Sequence, residues 1–158
     1  MADRVVSPRA RAAFVLAALA VDLADASRDL VADIATPHRP GELTYRVRQQ
    51  LRVASVAAVD LALMIEAYDG ASWDVLADRS LVPAAELEAR YEPVLTSWRA
   101  GVWALPPNGV VYAQFLPAFQ LEPDLDTAAA LDSWCARARD PRDEISGDGP
   151  VVRALTTL

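Results

Sequence analysis

The stretch "GASWDVLADRSLVPAAELEARY", Gly70 to Tyr91, decides how the chain is read. Ser72 is a good N-cap, with a hydroxyl placed to accept from the first free N–H groups of a short helix over "WDVLADR". "SLV" interrupts that helix, and Pro83 opens a second over "PAAELEARY", because its missing N–H has no partner in a first turn. Trp73, Leu76 and Ala77 share one side of the first helix, and Ala84, Leu87 and Tyr91 recur at i, i+3 and i+7 along the second. Trp73, Leu76, Val82, Leu87 and Tyr91 are therefore the expected anchors of two crossed helices joined by a tight link.

Upstream, two longer helices are expected. The first covers 8–36, beginning at Pro8 and ending before Pro37, with Leu16, Leu19, Leu23, Leu30 and Ile34 at helical spacing. Asp22, Asp25, Asp29 and Asp33 line another face of it. "TPHRPG" breaks the chain and places His38 on the surface. The second helix covers 41–68, and between Val53 and Ile65 only Ser55 and Asp60 are polar, so this half should be the most buried. Asp60 then needs a partner, and an arginine in a structural ion pair is the expected one. The first half carries Arg46, Arg48 and Arg52, the one dense basic cluster, which could pair with the aspartate face or hold phosphates.

Downstream, Pro93 lacks the N–H that would bond Ala89, so a kink or restart is expected before "VLTSWRAG". "GVWALPPNGVVYAQF" reads as two extended runs around "PPNG", a small wing-like hairpin within an irregular 101–121 segment. A last helix over 124–139 has Asp126 or Thr127 as its cap, Ala130, Leu131, Trp134 and Cys135 as its apolar side, and Arg137 and Arg139 near its end. The tail 141–158 is expected to be loose. The fold class is mostly α, about five helices around a central helix pair, in a single domain over 1–140.

Two short helices after a long apolar one make the trihelical frame of a helix-turn-helix. The segment resembles a helix-turn-helix type of high-GC bacteria with the pattern G-A-S-W-x-x-I-x-x-x-L-G-V-S-R-Q-A-A-x-x-R-Y. Gly70, Ala71, Ser72, Trp73, Val82, Arg90 and Tyr91 match it without a gap, and Leu76 replaces the isoleucine. The resemblance implies a DNA-reading second helix, and here the reading positions are altered. The pattern's turn glycine falls on Leu81, so the link is expected to avoid a left-handed conformation. Its capping serine falls on Pro83, and its Arg-Gln pair on Ala84 and Ala85, which offer base edges little beyond a methyl contact. Glu86, Glu88 and Glu92 occupy the same helix, and each carboxylate near a phosphate opposes binding by roughly 1 kcal/mol or more.

Charge points the same way. The chain of 158 residues has net charge -7; residues 1–52 hold 8 Arg against 6 acidic residues, and residues 53–158 hold 7 against 16. All 15 basic residues are arginine, which fits a GC-rich bacterial genome. One cysteine and one histidine assemble neither an internal disulfide nor a Cys/His zinc site. No phosphate loop, metal spacing or nucleophile elbow is present, so neither enzyme activity nor a cofactor is expected. The apolar run Ala12 to Val21 imitates a secretory signal, but the helical pattern continues past it and the run is too short to span a bilayer.

The expected role is a cytoplasmic, non-enzymatic regulatory protein, possessing a degenerate helix-turn-helix whose Ala84, Ala85, Glu86, Glu88 and Glu92 face a protein partner. The alternative is a DNA-binding regulator that holds phosphates with Arg46, Arg48 and Arg52. Four tryptophans and an alanine-rich first helix add the expectation of a homodimer, without membrane attachment.

Overall fold

The computed structural model describes residues 6–37, 39–138 and 149–157, and among them helices are the only regular structure. His38 and Arg139 lie outside the described residues. Helix α1 (Pro8–Ile34) starts as the sequence indicates, with Pro8 in the first turn, and the structure adds a cap, Ser7, which accepts from the Ala10 N–H at 3.2 Å. A single helical rod then follows in three parts, α2 (Glu42–Arg46), a π-helical stretch (Val47–Arg52) and α3 (Val53–Tyr68), with right-handed helical angles at both joins. Gly70 ends it in a left-handed conformation, φ 104°, while the Ala71 N–H closes back on the Glu66 carbonyl.

Helix α4 (Trp73–Ser80) and helix α5 (Ala84–Arg99) are the crossed pair. Ser72 caps α4 by accepting from the Val75 N–H. The link departs from expectation. Leu81 adopts φ 59° and ψ 27°, the left-handed conformation that a leucine was expected to avoid. It does so because its N–H closes α4 on the Ala77 carbonyl at 2.9 Å, and Leu76 and Leu87, both buried, fix where the two helices must start and stop. A non-glycine residue there is strained by about 1–2 kcal/mol. Leu81→Gly is accordingly expected to raise unfolding stability by about 0.5–1 kcal/mol, after glycine's larger entropy loss, as read from urea midpoints.

Pro93 does not restart the chain: α5 runs through it as one helix. The missing bond is confined to one carbonyl, and buried Leu87 and Tyr91 before it and Leu95 and Trp98 after it hold both halves on the same core. Gly101, φ 78°, closes the helix as the Val102 N–H reaches the Ser97 carbonyl.

The hairpin is absent among the described residues. "PPNG" is instead the lead-in to helix α6 (Gly109–Phe115), followed by a 3₁₀ turn over Pro117–Gln120. Asn108 takes φ 64°, and its carbonyl accepts from Val111 and Tyr112. Gly109 lies so close to Leu105 that a Cβ would collide with it. Burial decides against the strand: a helix brings Gly109 and Tyr112 inward together, and tertiary contact outweighs the β-preference of Val110 and Val111.

Helix α7 (Leu125–Ala138) is capped by Asp124, not by Asp126 or Thr127: its carboxylate accepts from the Thr127 N–H at 2.8 Å. The Thr127 hydroxyl and amide hold that carboxyl below the usual range. The expected apolar side is only half-buried at Leu131, Trp134 and Cys135, and Ala130 is exposed. Of the tail, 141–148 lies outside the described residues, and 149–157 is not loose. Helix α8 (Pro150–Thr156) packs on α1 and α7 with Leu155 buried, and both Asp132 oxygens accept from its first free N–H groups, Val151 and Val152, at 2.9 Å.

The core lies between α1 and α3, closed by α5 and by the α6 region. Trp98, Phe14, Leu19, Leu61, Met64, Leu76, Leu87 and Leu95 are its large fully buried side chains. No helix among the described residues is long and apolar enough to cross a membrane.

Candidate functional site

Tyr91 sits one turn beyond Leu87 on α5, so its ring enters the core where Asp60 of α3 arrives from the other side. Asp60 is 2% exposed and both its oxygens are used. The Tyr91 hydroxyl donates to Oδ1 at 2.6 Å, the Tyr112 hydroxyl donates to Oδ2 at 2.5 Å, and Arg90 Nη2 stands 3.6 Å from Oδ1. Trp73 stacks on Tyr91 with centroids 6.4 Å apart and planes 17° apart, and the Arg90 guanidinium covers the same ring at 5.3 Å. The residues that carry the helix-turn-helix resemblance, Trp73, Arg90 and Tyr91, thus tie α4, α5 and α3 together. They are frame residues here.

The expected arginine partner of Asp60 is present, but it is the third and most distant contact. The phenols make the shorter bonds, and Tyr112 lies 52 positions away in a segment read as a strand, so no local spacing could announce it. Burial first, and then the hydrogen bond to Asp60, push the Tyr112 hydroxyl up to about 12 and the Tyr91 hydroxyl higher still, against an ordinary value of 10.0. A raised pKa in the folded state means that the associated stability is complete below pH 10 and is lost as pH climbs through about 12. Urea midpoints between pH 9 and roughly 12 should fall, and Tyr112→Phe should flatten that fall.

The outward side of α5 is a separate surface. Ala85, Glu86 and Glu88 are exposed, while Ala84 and Glu92 are half-buried. Glu92 is engaged by Arg99 two turns further along the helix. Glu86 and Glu88 make no ion pair among the described residues. Beside them Leu81, at the tip of the link, is 90% exposed, and Val75 on α4 is 56% exposed.

The basic cluster divides. Arg46 pairs with Asp33 at 2.5 Å and with Glu42 at 3.5 Å, which fulfils part of the expected pairing with the aspartate face. Arg48 and Arg52 lie on the π-helical stretch, are exposed, and make no ion pair among the described residues. The π geometry itself had no counterpart in the reading of the sequence. Among the described residues no three His, Cys, Asp or Glu side chains gather as a metal site.

No protein-family model, curated protein or solved structure matches the chain.

Proposed function

We propose that the chain is a non-enzymatic regulatory protein acting through protein interaction, on a degenerate helix-turn-helix whose second helix now meets a protein partner. The observation that carries this reading is the uncommitted acidity of α5, where exposed Glu86 and Glu88 flank a small apolar surface at Ala85 and Leu81. Phosphates are repelled by such a surface, whereas a basic protein surface with an apolar recess is complementary to it. A cytoplasmic location in a bacterium belongs to the same proposal.

The test pairs two measurements. At physiological salt the native chain should show no tight binding to duplex DNA in an anisotropy titration. Glu86→Arg with Glu88→Arg should abolish capture of the partner retained by the native chain from its own cell extract, with helical circular dichroism unchanged. Tight, sequence-preferring DNA binding overturns the reading, as does partner capture indifferent to the charge reversal.

Exposed Arg48 and Arg52 favour a second reading, a DNA-binding regulator in which they hold phosphates beside Arg46. Arg46 is the least available, being held by Asp33 and Glu42. On this reading Arg48→Ala with Arg52→Ala weakens binding evenly across sequences and lowers the salt slope by about 2. A homodimer also belongs to the proposal, though not through three of the four tryptophans: Trp98 is buried and Trp73 and Trp103 pack on the chain's own core. Val31, Ile34 and Tyr45, 63–69% exposed near the turn between α1 and α2, are the surface for it, and sedimentation equilibrium reads the outcome.

A further inference from the structure

Between α1, α7 and α8 lies an open chamber of about 430 Å³, within the range of small-ligand pockets. Its floor on α1 is built from Ala13, Ala17 and Ala20, residues too short to fill the space between the helices. Leu131 and Trp134 of α7 and Val151 of α8 form the walls, so, apart from Arg9 at one end, the lining suits an apolar ligand. A second cavity of about 470 Å³ adjoins it, sharing Arg9, Pro150 and Ala154, and this one is the more polar of the two, with Tyr68, Arg153 and Thr157 around it.

The charges at that junction are unequal. Arg9 is paired with Asp69, through Nε at 3.1 Å and Nη2 at 2.7 Å, which offsets its charge locally. Arg153 makes no ion pair among the described residues. A chain of net charge -7 therefore keeps an uncompensated cation in the cavity that adjoins its apolar chamber. We propose that this chamber binds a medium-chain aliphatic carboxylate, with the hydrocarbon chain between α1, α7 and α8 and the carboxylate at Arg153. Aliphatic carbon supplies the contacts that the chamber walls lack, and a guanidinium is suited to a carboxylate by its fork of donors.

Cys135, the one cysteine of the chain, lines the chamber and is half-buried, so its reaction with a chromogenic disulfide reagent reports occupancy. Dodecanoate, kept below its micelle concentration, should slow that reaction saturably in the full-length protein. Decanoate should bind about 15-fold more weakly, at about fourfold per methylene. Dodecanol, lacking the charge, should bind about tenfold more weakly than dodecanoate, and Arg153→Ala should bring dodecanoate to the same level. Ala20→Phe, at an exposed α1 position facing the chamber, should remove protection with helix content unchanged. Absence of protection by dodecanoate, protection indifferent to Ala20→Phe, or equal affinity for acid and alcohol would each overturn the proposal.

Discussion

Asp60→Ala should remove about 3–5 kcal/mol of unfolding stability, a large share of what a domain of this size possesses. The substitution takes away both acceptors at once, leaving the Tyr91 hydroxyl buried without a partner and Tyr112 with its Asn108 contact alone. A buried hydroxyl that loses its acceptor costs about 1–3 kcal/mol. Arg90 adds less, because its side chain is 40% exposed and water can replace the carboxylate. Asp60→Asn keeps one acceptor oxygen, and a phenol can turn its hydroxyl to accept from the new amide, so a smaller loss of about 1–3 kcal/mol is expected. The decisive comparison is Asp60→Leu combined with Tyr91→Phe and Tyr112→Phe, which should recover most of the loss because no polar atom is then stranded. Urea unfolding measures all of these. A cost below about 1 kcal/mol for Asp60→Ala would show that the three-residue network does not hold α3, α5 and α6 together.

Trp98→Ala is the second large effect, at about 3–5 kcal/mol. Trp98 is fully buried on α5, its ring lies 5.4 Å from Trp103 and 6.3 Å from Tyr68, and its indole N–H donates to the Ala104 carbonyl at 2.8 Å. Truncation opens a void among rings that cannot close up, and it removes the donor that fixes the chain just after the α5 cap. Trp73→Ala should be milder, about half as costly, because Trp73 is half-buried and stacks on one side only. Thermal melts of the two variants side by side give the test; equal losses would contradict the asymmetry of their burial.

The parts of the fold that were legible in the sequence are those governed by local chemistry. Pro8 at the head of α1 and Ser72 at the head of α4 both act within one helical turn, and each is where spacing puts it. The unread parts depend on distant contacts. Leu81 takes a glycine conformation because the bodies of α4 and α5 demand it, and nothing beside Leu81 in the chain says so. Val110 and Val111 favour a strand in isolation, yet Tyr112 must reach Asp60, and a helix delivers it. The buried carboxylate itself was readable from its apolar surroundings. Its phenolic partners were not, since a tyrosine carries no charge to mark it as the answer to an aspartate. Likewise the acidic surface of α5 follows from helical periodicity, whereas the chamber among α1, α7 and α8 required knowing that residues 150–156 fold back on the chain.

The π-helical stretch has a consequence for how the chain tolerates changes in length. A widened turn accommodates one residue more than α-helical winding would, so Val47–Arg52 behaves as a stored insertion within an otherwise continuous rod. Deleting a single residue there lets the rod wind as plain α-helix with both flanks close to the register they already hold, so Arg46 stays opposite Asp33 and the packing of α3 is kept. The same deletion within α3 has no widened turn to absorb it, and swings everything on its amino-terminal side by about 100° around the axis. One codon can therefore be lost from this segment without turning one face of the rod away from its neighbours.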